Sequence, residues 1–326
     1  MAEVGVRAEP DPSHGDTWVV GVDGSECSRR AALWASANIE QRANELQLVS
    51  AWSMAATAGM SPMNPLITSS TLDALAEASA ATVSALARDL TPPAGVAVTT
   101  GVGRCGAATL LLDAADDAEL LVVGSRGRGG FARLVLGSTS TQCATHSSAP
   151  VAIIPSTTPA TRPRSIVVGF DGSPNSVAAL EWTLDFADPG SSIECTFVWD
   201  AAPLTVGSDQ FFFPEASDLA CERFEHLVAT ASRAHRRTAV DVRSTFVEGS
   251  PRAALSAAAT ACDLLVTGAR GHGAIGAAVL GSVSTWLLHN VHTAMVVVPQ
   301  ERRDPEAGDR AVGDHELGDH DGEARE

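Results

Sequence analysis

The stretch GSRGRGGFARLVLGSTS runs from Gly124 to Ser140. Glycine stands at 124, 127, 129, 130 and 137, and the stretch closes on Ser138, Thr139 and Ser140. Glycine costs roughly 1 kcal/mol against alanine inside a helix. Such a run therefore belongs to a loop whose backbone turns tightly or approaches a neighbour closely. It follows the apolar strand-like run AELLVVG (118–124) and leads into STSTQCATHS (138–147), which reads as a helix. The arrangement is written twice, because AELLVVGSRGRGGFARLVLGSTST (118–141) returns as CDLLVTGARGHGAIGAAVLGSVST (262–285). Upstream, TWVVGVDGSECSRRAALWA (17–35) returns as SIVVGFDGSPNSVAALEWT (165–183). The offset is constant inside each block and shifts slightly between blocks. A period this long marks two whole domains, not a solenoid.

Each copy alternates short apolar strands with amphipathic helices. In the first, TWVVGVD, LQLVSAW, VAVTTGV, AELLVVG and APVAIIP read as strands. The segments between them, including CSRRAALWASANIEQRA (27–43) and TLDALAEASAATVSALARDL (71–90), read as helices. Ser70 and Asp73 are spaced for a capping box at the start of the latter. Strands that stay apolar throughout and alternate with helices imply a parallel sheet covered on both faces. The expected fold is α/β: two doubly wound, open parallel-sheet, Rossmann-like domains in tandem. The boundaries read as a polar N-terminal arm over 1–16, domain one over 17–155, a proline-rich linker over 156–164, domain two over 165–299 and an acidic, disordered tail over 300–326.

Composition narrows the function. The 326-residue chain carries a formal charge of −17 and contains no lysine. The charge argues against nucleic acid, which calls for basic stripes. The missing lysine removes a P-loop, whose last glycine is followed by one. Six cysteines, with no CxxC pair, read as small buried thiols. No apolar run reaches the roughly 18 residues of a membrane span, so a cytoplasmic protein is expected. A literal G-x-G-x-x-G at Gly101, Gly103 and Gly106 is set aside: Gly124 stands where a dinucleotide site needs an acid, and the second copy reads VEGSPRAAL there. No histidine or carboxylate is spaced like a catalytic triad, so no catalytic residue and no metal site is assigned.

In an open α/β sheet, ligands sit beyond the carboxyl ends of the strands. Gly124 ends a strand there, and Gly137 to Ser140 open a helix whose unpaired amides and positive dipole end suit an anion. Arg126 and Arg270, in matching places, add charge or are solvated loop residues. Asp23 and Asp171 follow the first strand of each copy, and DGS also suits a turn and helix cap. Trp34 and Trp182 match on the first helices and read as packing residues.

The pattern Gly-x2-Gly-x9-Gly-Ser after an apolar strand resembles the nucleotide motif of the universal stress proteins. The two aspartates and the length of each copy fit the same family, over about 17–155 and 165–299. The resemblance implies ATP as ligand. Acidic residues near the site could bind Mg2+ through the phosphates, a point the sequence leaves open. Asp23 and Asp171 would lie beside the nucleoside, and Ala51 and Val198 would contact adenine. Val123, Gly124, Arg126 and Gly127, with Thr267, Gly268, Arg270 and Gly271, would line ribose and phosphates. Gly137, Ser138, Thr139 and Ser140, with Gly281, Ser282, Val283 and Ser284, would hold the phosphates. The implied role is a regulatory nucleotide-binding module with two sites per chain and at most slow hydrolysis. The alternatives are an interaction scaffold with empty pockets, and a nucleotide-hydrolysing or adenylate-forming enzyme on the same fold. The family also suggests that the last strands, APVAIIP and AMVVVP, pair to make an intrachain pseudo-dimer, with a homodimer of whole chains as a further step.

Overall fold

A computed structural model describes residues 17–40, 42–53, 69–127, 136–200, 204–206, 209–211, 214–234, 240–271 and 280–299. The N-terminal arm, the acidic tail and the glycine-rich part of the opening stretch at 128–135 lie outside the described residues. The first copy contributes β1 (Thr17–Gly21), α1 (Glu26–Asn38), β2 (Glu45–Ala51), α2 (Ser69–Asp89), β3 (Ala97–Gly103), α3 (Ala107–Ala114), β4 (Leu120–Gly124), α4 (Ser138–His146) and β5 (Val151–Ile154). The second contributes β6 (Ser165–Phe170), α5 (Pro174–Phe186), β7 (Ser192–Trp199), a hairpin of β8 (Leu204–Val206) and β9 (Asp209–Phe211), α6 (Pro214–Ala234), β10 (Asp241–Glu248), α7 (Pro251–Ala259), β11 (Leu264–Gly268), α8 (Ser282–Asn290) and β12 (Ala294–Val298).

Within each half the strands are parallel, in the order β3-β2-β1-β4-β5 and its counterpart β10-β7-β6-β11-β12. This is the doubly wound order, and its direction of winding reverses between β1 and β4 and between β6 and β11. β5 and β12 then pair antiparallel, Met295 with Ile153, Val296 with Ala152 and Val297 with Val151, so the halves share one ten-stranded sheet. All four residues of β5 and all five of β12 are buried, as the apolar runs require. One face packs residues of α1, α2, α5 and α6, among them Trp34, Val83, Leu180 and Phe224. The other packs α3, α4, α7 and α8 through Leu111, Cys143, Leu255 and Leu287.

Two local readings change. The spacing of 27–43 suggests one helix, but α1 ends at Asn38. Arg42 turns back there and donates to the Asn38 carbonyl at 2.8 Å, replacing the next turn of helix as its partner. α2 begins at Ser69, so Ser70 is its second residue and lies inside the helix, not at the cap position that its spacing to Asp73 suggests.

The early turn delivers Arg42 to the second half. Its guanidinium lies 4.7 Å from the Phe186 ring, donates to the Phe186 carbonyl and meets Asp188 Oδ1 at 2.7 Å. Arg162, in the connection between the copies, reaches Asp188 Oδ2 at 3.2 Å, the Ala37 carbonyl at 3.2 Å, and Glu40. The proline-rich connection is thus pinned to both halves, with Thr158 buried. Phe186 stacks on Trp182 at 4.7 Å and on Trp34 of the first half at 6.0 Å, so both matched tryptophans pack at the junction.

Partial burial pushes the Asp188 carboxyl up, but hydrogen bonds and charge from Arg42 and Arg162 outweigh it and hold the group below the usual carboxylate range. A depressed acid contributes stability in full above its unfolded value, about pH 4, and loses it as pH falls through the folded value. Asp188→Asn should therefore lower Tm by about 5 °C at pH 7. The deficit should vanish in strong acid, where both side chains are neutral. Thermal melts of both proteins against pH check this; a deficit persisting at pH 2 would remove the ion pair as its cause.

Candidate functional site

The chain leaves β6 through Asp171 and Gly172, whose φ of +79° is a left-handed conformation that suits glycine. The turn brings the Ser173 amide to Asp171 Oδ1 at 3.0 Å, and Ser173 caps α5 by accepting from the Ser176 amide at 3.3 Å. The first copy repeats this: Gly24 has φ +76°, Ser25 N–H donates to Asp23 Oδ1 at 2.9 Å, and Ser25 caps α1. Serine, not aspartate, is the cap, and one carboxylate oxygen shapes the turn before it.

The other oxygen faces the glycine loop. A Cβ at Gly127 would stand 2.5 Å from Asp23 Oδ2, and one at Gly271 would come closer still to Asp171 Oδ2. These two glycines let loop backbone lie against a carboxylate. Gly124 and Gly268 also serve helix–strand packing. A Cβ there would fall 2.7 Å from backbone of Cys27 and of Asn175, so they let α1 and α5 press onto the strand ends. Ser25 and Ser173 then bind the loop, donating to the carbonyls of Arg126 and Arg270 at 3.3 and 3.4 Å.

Gly137 and Gly281 differ again. They are the N-caps of α4 and α8, with φ of −87° and −61° that any residue adopts, and they give no side-chain cap. A Cβ at Gly137 would have its nearest neighbour at 3.5 Å, an ordinary contact; at Gly281 the nearest would be 3.3 Å away, slightly tight. The fold alone does not demand glycine at 137. Their own amides are used inside the protein, donating to the Ser125 and Ala269 carbonyls at 2.7 Å. The amides left to head the helices are those of Ser138, Thr139 and Ser140, and of Ser282, Val283 and Ser284. The hydroxyls of Ser140 and Ser284 donate back to the Gly124 and Gly268 carbonyls at 2.7 and 2.8 Å, tying each helix to its strand. These two residues thus have only their amides left for an anion, while Ser138 and Ser282 are exposed.

In the second half the elements enclose a cavity of about 610 Å³, within the range of small-molecule sites. All the residues singled out there in the sequence line it: Asp171, Val198, Thr267, Gly268, Arg270, Gly271 and the run Gly281 to Ser284. Sequence reasoning missed Thr196, Pro251 and Leu255, which also line it. Thr196 had a signal, since strand alternation sets it on the same side of β7 as Val198. In the first half, Ala51 ends β2, half-buried, and Val123 is buried in β4 beside the loop of Gly124, Arg126 and Gly127. Among the described residues, no three of His, Cys, Asp and Glu cluster closely enough to hold a metal ion, and no helix is long and apolar enough to cross a membrane.

Comparison with known proteins agrees with this architecture. A universal stress protein of Mycobacterium tuberculosis is 30% identical over 304 residues, covering 88% of this chain and 96% of that protein. One from Mycolicibacterium smegmatis is 30% identical over 209 residues, covering 63% of this chain and 69% of its own. A solved universal stress protein of Archaeoglobus fulgidus shares the fold, with a TM-score of 0.62 at 18% identity, covering 88% of this chain and 99% of that one. The profile of the Universal stress protein family matches residues 16–155 and again 163–299. The chain therefore belongs to the universal stress protein family and carries two of its domains in tandem.

Proposed function

We propose that the protein binds ATP at two sites, one per domain, and acts as a cytoplasmic regulatory module with at most slow hydrolysis. The observation that carries this reading is the cavity of the second domain. Residues from four separate stretches of sequence, singled out by motif and by family resemblance, meet around it. A triphosphate fits its α8 end, where three amides and the helix dipole favour negative charge without any lysine. Each charge-assisted hydrogen bond contributes about 1.5–3 kcal/mol, and micromolar affinity requires about 8 kcal/mol net of association costs. Three amides, an arginine and a buried base are enough. Asp171 and Asp23 stand where the nucleoside would lie, and Val198 and Ala51 border the base. Mg2+, if bound, would ride on the phosphates and offset their charge. Among the described residues, no histidine lines the cavity to act as a general base and no arginine finger is assigned for hydrolysis. The β5–β12 ladder would make the two domains a pseudo-dimer within one chain.

Purified protein should release adenine nucleotide on denaturation, read by chromatography of the supernatant. Finding none, together with no calorimetric binding up to millimolar ATP, would sink the reading in favour of an empty scaffold. A turnover assay separates the enzymatic alternative: rapid ATP consumption would point to it.

Gly137→Glu and Gly281→Glu should each remove about half of the bound nucleotide. Gly137 has ordinary room for a side chain, while at Gly281 a Cβ would stand 3.3 Å from the Arg270 backbone, so a thermal melt checks that this variant folds. In both, the new carboxylate repels phosphate. Nucleotide-to-protein stoichiometry measures this, and unchanged values in both variants would refute the site assignment.

A further inference from the structure

The two domains differ at the floor of their sites. In the second, Thr267 on β11 and Thr196 on β7 both pair in register with Gly169 of β6, forming one row across the sheet. Both line the cavity, and they are only 4% and 3% exposed. Neither Oγ1 has a hydrogen-bond partner. Leu255 leans onto Gly169 between them, 3.0 Å from where a Cβ would stand, so the row reads polar, apolar, polar. The first domain places Val49 beside Gly21, with Val123 on its other side. Valine and threonine have nearly the same shape, so the difference lies in hydrogen bonding alone.

A buried hydroxyl without a partner destabilises a fold, and a valine would fill the same space without that penalty. The second domain carries two, at one cavity, where its sister domain has valines at the matching places. Rotation about χ1 exchanges the methyl and hydroxyl of a threonine, so each can present its oxygen to the cavity when a partner arrives. A hydroxyl both donates and accepts, which suits the mixed polar edge of a heteroaromatic base. Two strand spacings separate the threonines, about 10 Å, the length of a nucleoside. The apolar tip of Leu255 lies between them, where the face of a flat ring would rest.

We infer that Thr196 and Thr267 are the specificity floor of the second site, hydrogen-bonding the nucleoside half of its ligand, and that the valine-floored first site lacks this recognition. The inference rests on the nucleotide reading of the site. In the full chain carrying Gly137→Glu, the second site is the one measured, with ATP and inorganic tripolyphosphate as probes. Adding Thr196→Val and Thr267→Val together should weaken ATP binding by about tenfold to thirtyfold. Tripolyphosphate, which has no nucleoside, should bind within twofold of its former affinity. The Tm of the ligand-free variant should hold or rise. Unchanged ATP affinity, an equal loss of both probes, or a drop in Tm would each overturn the inference by removing the hydroxyls from ligand recognition or assigning them to the fold. ATP failing to bind the second site before the threonines are changed would instead overturn the nucleotide reading, and the inference with it.

Discussion

Three residue pairs join β5 to β12, and their antiparallel sense fixes how the halves of the molecule relate. Two strands that would otherwise be exposed apolar edges become the centre of a ten-stranded sheet, which removes the aggregation hazard of a bare edge. The same pairing puts the first helices of both copies on one face. That is why Trp34 and Phe186 can stack and why Arg42 can reach Asp188. The ladder is short, and the aromatic cluster and the arginine pair reinforce it from one side. A duplicated domain has here become one packed unit, with a core running through both copies on each face.

The glycines of the motif look alike in sequence and differ in physics. Gly124 and Gly268 admit a helix, and Gly127 and Gly271 admit a carboxylate. At Gly137 the protein itself would accept a side chain. The last kind is explained by neither turn nor packing. Spacing alone recovers the motif but does not sort these three reasons, because each depends on which atom lies opposite the missing Cβ.

The duplication, the parallel strands and the second-domain site were legible in the sequence. Apolar runs and recurring glycines report on what a segment touches on average, and both copies reported the same thing. The end of α1 was not legible, because it is set by Arg42 meeting residues of the other copy. Ser70 and Asp73 carry capping chemistry, but the helix starts at Ser69, and side-chain type alone does not place that boundary. The hydroxyls of Ser140 and Ser284 turn to the strand ends, a pairing that sequence spacing does not show. Thr196 was overlooked although alternation placed it, because valine stands at the matching place in the first copy.

The reversal of strand direction at the junction has a geometric result. The two winding-reversal points open toward opposite rims of the shared sheet and lie four strands apart, about 19 Å across it. No one small molecule can span both. Each rim faces a different side of the surroundings, so whatever docks at one is separated from the other by the shared sheet.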